Sequence, residues 1–129
     1  MSINLTGKVA LVTGGSKGIG AATCRALAKA GASVVINYSS DASAADSLVN
    51  EIGSKKALAV KADASSVKGA EEMVKATMDR FGQLDIVIAN AGILPMKTVE
   101  DTTEKDFDST FALNVKGPYF LVQVSGPCP

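Results

Sequence analysis

The densest run of chemistry-bearing residues is Thr13-Gly14-Gly15-Ser16-Lys17-Gly18-Ile19-Gly20. It sits between an apolar run that reads as a strand and an alanine-rich run that reads as a helix. Glycines at such a junction permit a tight turn, let a pyrophosphate approach backbone amides, and allow close helix-to-strand contact. The helix start then offers unpaired N–H groups, and the positive end of its dipole favours phosphate charge. A bland turn is also glycine-rich, so the strand–loop–helix setting carries more weight than the glycines alone. A P-loop requires Gly-Lys followed by Ser or Thr at the helix start. Here Lys17 is followed by Gly18, and that reading fails.

The elements that would hold this loop follow from periodicity. Residues 8–13 (KVALVT) form a short, β-branched apolar run of the kind that is buried on both faces of a sheet. Residues 21–30 read as a helix, closed by Gly31 with Lys29 in the last turn. Residues 33–37 read as a second strand, 41–52 as a helix, 57–61 as a third strand, and 67–81 as a helix ending at Gly82. Residues 84–89 (LDIVIA) complete a fourth strand, and a loop with Gly92 and Pro95 leads to Thr103, a helix cap with Asp106 three residues on. From 104 to about 124 the pattern is helical again, interrupted near 114–118. Strands that alternate with helices and are each apolar throughout predict an α/β, Rossmann-type doubly wound parallel sheet of about four strands, incomplete, with helices on both faces. Residues 1–124 are expected to be one domain and residues 125–129 (SGPCP) an unrelated tail, since two prolines stop the last helix abruptly.

Bulk properties narrow the classes. The formal net charge of zero gives no electrostatic case for a nucleic-acid or membrane-surface partner. No apolar run approaches a bilayer span, and residues 1–4 lack a secretory pattern, so a cytoplasmic protein is expected and the triplets at Asn4 and Asn37 are chance glycosylation matches. Cys24 and Cys128 lie far apart and histidine is absent, which argues against a disulfide framework or a metal site.

The spacing TGxxxGIG, together with Asn90-Ala91-Gly92 directly after the fourth strand, resembles the short-chain dehydrogenase/reductase family over residues from about 6 to about 123. The likeness is greatest to its 3-oxoacyl-carrier-protein reductase-like branch. It implies that Gly14, Ser16, Gly18, Ile19 and Gly20 line the phosphates and ribose of a nicotinamide cofactor. It implies that Asp63 accepts a hydrogen bond from the adenine amino group, and that Asn90, with Ala91 and Gly92, lies beside the ribose and ties the fourth strand to its neighbours. Asn114 falls where the family has an asparagine that orders a water in the proton relay and kinks its helix. Local readings stand beside these: Asp63 can cap a turn with Ser65 and Ser66, Asn90 and Gly92 can be plain turn residues, and Asn114 can be a satisfied polar group in a helix bend.

The second strand ends Asn37-Tyr38-Ser39-Ser40, with no acid at its tip to bind ribose hydroxyls and repel a 2′-phosphate. Ser39 and Ser40, with Lys17, suit that phosphate instead, and NADP(H) is the expected cofactor. The plain alternative is a solvated Lys17 and a simple helix entry at Ser39 and Ser40. Asp41 reads as the cap of the following helix.

The family's chemistry uses a tyrosine that protonates a carbonyl as hydride arrives, a lysine four residues later that lowers the phenol pKa, and a serine upstream. An unassisted phenol near pKa 10 is a poor acid–base group at neutral pH. Tyr38 is followed at the fourth place by Ala42, and Tyr119 by Gln123, so neither forms that pair. Of the relay, Asn114 alone remains. The expectation is a ketone reductase by family, acting on a small carbonyl or alcohol substrate, but C-terminally truncated and inactive as this chain. The alternative is a non-catalytic nucleotide-binding remnant that modulates a full-length relative. Family members associate partly through the region after Gly117, which leaves a homo-oligomer open. A chain that does not fold stably, and a methyltransferase with an adenosyl cofactor, are further alternatives; the latter usually wants an acid at the tip of the second strand.

Overall fold

A computed structural model describes residues 2–126. Its elements in chain order are β1 (Val9–Val12), α1 (Gly18–Lys29), β2 (Ser33–Tyr38), α2 (Ala42–Ile52), β3 (Ala57–Lys61), α3 (Val67–Phe81), β4 (Ile86–Ile88), α4 (Glu104–Phe111), a π-helical turn (Ala112–Lys116) and α5 (Gly117–Ser125). The four strands make one parallel sheet in the order β3-β2-β1-β4. Register runs from Val9 opposite Ser33 to Val12 opposite Ile36, with Ala10 opposite Ile86 and Val34 opposite Ala57. The chain therefore reverses direction across the sheet between β1 and β4, and open α/β sheets bind ligands at the carboxyl ends of the strands at such a point.

Alternation along the buried strands divides the core in two. Ala10, Val12, Val34 and Ile36 face Ala21 and Cys24 of α1 and Ala45 and Leu48 of α2. Leu11 and Val35 face the other way, against Ala70 and Met73 of α3 and Leu121 of α5. Each layer removes apolar surface from water, which supplies most of the driving force for the fold.

Boundaries differ from the sequence reading in two instructive places. Helix α1 begins at Gly18 rather than at residue 21, because Ala21 N–H already donates to the Lys17 carbonyl at 3.1 Å. Strand β4 is three residues rather than six. At its start the Asp85 carboxylate takes over a ladder position and accepts from Val9 N–H at 2.8 Å. At its end the amides of Asn90 and Ala91 both donate to Thr13 Oγ1 at 3.0 Å, which turns the chain out of the ladder. Of the expected tail, residues 127–129, and Cys128 with them, lie outside the described residues.

Candidate functional site

The loops that leave the carboxyl ends of the four strands converge on a cleft of about 620 Å³. Gly14 follows β1, Ser39 follows β2, Asp63 follows β3, and Asn90, Ala91 and Gly92 follow β4; all of them line it. Ser109, Ala112 and Leu113 close it from the side of α4 and the π-helical turn. Ser16, Lys17, Gly18, Ile19, Gly20 and Ser40 are not among its lining residues; the glycine-loop residues form the neighbouring start of α1.

That helix start is open. Helices α2, α3 and α4 are capped by the side chains of Asp41, Ser66 and Thr103. The α1 N-terminus has Lys17 at its cap position with no side-chain cap bond, and no acid in its first turn. Ile19 is largely exposed beside it. Gly20 is required by close approach: a Cβ there would strike the Gly14 carbonyl and the Asn90 amide. An uncapped helix start, a glycine loop with open space above Gly18, and a cleft beside it fit a dinucleotide phosphate group.

Two asparagines hold the loops in place. Asn90 Nδ2 donates to the carbonyls of Thr13 and Gly14 at 3.1 and 3.2 Å, joining the end of β4 to the glycine loop. Asn37 is buried, accepts from Gly14 N–H at 3.2 Å through Oδ1, and donates through Nδ2 to the Ala62 carbonyl at 3.0 Å. It thereby connects the loops after β1, β2 and β3. Sequence reasoning missed Asn37 and Thr13 as site residues. The available signal was an amide closing an otherwise apolar, buried strand, where it needs partners.

Asp63 makes the turn that its local chemistry allowed. Its Oδ1 accepts from Ser65 N–H at 2.9 Å and from Ser65 Oγ at 2.6 Å, and these bonds hold its carboxyl below the ordinary range. It stays an ionised acceptor at the cleft wall. Asn114 lies within the π-helical turn and clamps the loop after β4: Oδ1 accepts from Ile93 N–H at 2.9 Å, and Nδ2 donates to the Ile93 carbonyl at 2.7 Å. Lys17 forms an ion pair with Asp41 at 2.8 Å, a contact that sequence reasoning did not foresee.

A parallel α/β domain with a cleft at the sheet's reversal point belongs to the class of folds that bind nucleotides there. The family model for short chain dehydrogenases matches residues 8–128, and the chain belongs to that family. It is 44% identical over 123 residues, 94% of its length, to an uncharacterized oxidoreductase of Methylorubrum extorquens, of which it covers 50%. It is similar to a short chain dehydrogenase from Burkholderia cenocepacia solved in complex with NADP, at 39% identity and a TM-score of 0.91, covering 95% of this chain and 51% of that one. It is also similar to a 3-ketoacyl-(acyl-carrier-protein) reductase from Brucella melitensis complexed with NADH, at 38% identity and a TM-score of 0.87, covering 94% and 50%. The chain thus spans about half the length of the relatives it matches. Among the described residues, no helix is long and apolar enough to cross a membrane.

Proposed function

We propose that this chain is the NADP(H)-binding part of a short-chain ketone reductase, and that by itself it holds the cofactor without turning over a carbonyl. The observation that carries the reading is the cleft at the reversal point, set beside the uncapped start of α1. The Burkholderia relative with NADP and the Brucella ketoacyl reductase support, respectively, the cofactor and the carbonyl substrate class. The relative with NADH makes the choice between cofactors depend on residues of this chain.

In this reading Gly14, Ser16, Gly18, Ile19 and Gly20 bind the pyrophosphate and its adjoining ribose through backbone amides and close approach. Lys17, Ser39 and Ser40 hold the 2′-phosphate with charge and hydroxyl donors. Asp63 accepts from the adenine amino group, and Asn90, with Ala91 and Gly92, lies beside the cofactor's ribose. In the full-length family a cofactor held by these residues would supply hydride for reduction of a carbonyl carbon, a step this chain does not complete. Asn114 positions the loop after β4, and its membership of a proton relay rests on the family likeness. Phe107, Phe111, Val115, Tyr119 and Val122 are exposed at near-helical spacing, which supports association with a second copy or a full-length relative.

Neither tyrosine is followed at the fourth place by lysine. The purified chain is therefore expected to leave NADPH absorbance constant with ketone substrates such as a β-ketoacyl thioester. Protein-dependent, saturable NADPH oxidation would overturn the claim of inactivity.

A further inference from the structure

The ion pair between Lys17 and Asp41 joins the glycine loop to the start of α2, and both residues border the place where β1 and β2 end. Asp41 is held there by its second oxygen. Its Oδ1 accepts from Ala44 N–H at 3.0 Å as the α2 cap, while its Oδ2 meets Lys17 Nζ at 2.8 Å. Lys17 and its cap bond keep the Asp41 carboxyl below the ordinary range, so it carries full charge at neutral pH. The cap fixes this carboxylate, and it cannot swing far from Lys17 without giving up the helix start.

The strand tip has serines where an acid would select against a 2′-phosphate, yet a fixed acid is ion-paired with the lysine expected to attract that phosphate. Its negative charge opposes a phosphate dianion in two ways. It neutralises part of the lysine's field, and it repels the phosphate itself. A bare 2′-hydroxyl carries no charge at that position and feels neither effect, while the pyrophosphate is common to both cofactors and cancels in the comparison.

We propose that Asp41 is a specificity-determining residue that narrows the margin by which this site favours NADPH over NADH. The inference rests on the assignment of the cleft as a dinucleotide site and goes beyond it by naming the residue that sets the selectivity. Lys17 and Asp41 are 66% and 39% exposed, so water and salt screen the effect, and it amounts to about fivefold in relative affinity at low salt.

The test is calorimetric binding of NADPH and of NADH to the unmodified chain and to Asp41→Asn. Asparagine caps a helix about as well as aspartate, so the substitution removes charge while keeping α2 in place. Asp41→Ser, another good cap without charge, is the second variant, and thermal unfolding checks that both fold. The expected result is a ratio Kd(NADH)/Kd(NADPH) at least threefold higher in both variants, shrinking toward the unmodified value at 0.5 M salt. A ratio within twofold of the unmodified chain in both folded variants overturns the role of Asp41 and leaves the dinucleotide site standing. Absence of binding of either cofactor to the folded, unmodified chain overturns the site and this inference together.

Discussion

Cys24 and the polar side chains around the glycine loop show how single residues constrain the site. Cys24 is fully buried beneath the loop, its Sγ 3.6 Å from the Gly15 carbonyl, and burial pushes its thiol up to about 11 from an ordinary 9.0. A folded-state pKa above the unfolded value means that the neutral thiol stabilises the fold fully below about pH 9, and that this contribution is lost as pH rises toward 11. Urea unfolding midpoints should therefore fall more steeply between those values in the unmodified chain than in Cys24→Ala. Equal slopes would mean that the thiol is not held in a dry environment. The glycine loop itself was legible, because glycine spacing is a local property of the chain. Asn37 was not: its partners, Gly14 and Ala62, are brought to it by the parallel pairing of three strands. The Lys17–Asp41 pair was hidden for the same reason, since helix α1, strand β2 and the loops after them separate its members in sequence.

At the scale of elements, the turn after β3 is gripped between two helices. Gly69 near the start of α3 and Gly117 at the start of α5 leave no room for a Cβ: one would meet the Asp63 carbonyl and the other the Ala64 carbonyl. Helix α5 is thus pressed on the turn that presents Asp63 to the cleft. Gly117→Ala should cost about 1–3 kcal/mol in chemical unfolding, as overpacking of a close contact does. It should also weaken NADPH binding in the folded fraction, because the Ala64 carbonyl must move. A variant with unchanged stability would show that the contact is loose. The sequence reading had a helical pattern from 104 to about 124 interrupted near 114–118, and the structure places the π-helical turn at Ala112–Lys116, overlapping that interruption in part. Its reading of the fourth strand was longer than the structure's, because apolar character extends past the point where Thr13 draws the chain away. The capping box of Thr103 and Asp106 was readable from local spacing alone, and it forms as that spacing implies.

For the whole molecule, the sheet order β3-β2-β1-β4 places a glycine loop, a carboxylate and two amides together at the carboxyl end of the sheet. The alternation of strand and helix patterns made this architecture legible, since parallel neighbours require crossover helices. The location of the cleft follows from the order of strands rather than from any one motif. The same architecture leaves β4 at one side of the sheet with its three residues half-buried, and it leaves the outer stripe of α4 and α5 exposed. The proposed function requires that this arrangement alone hold NADPH, in a chain that spans about half the length of its relatives. Isothermal calorimetry of NADPH on the purified chain tests it most directly, with cooperative thermal unfolding confirming that the sample is folded. The expected result is saturable binding at one site per chain. A folded chain that gives no binding heat, and whose melting temperature does not rise with NADPH, would contradict it.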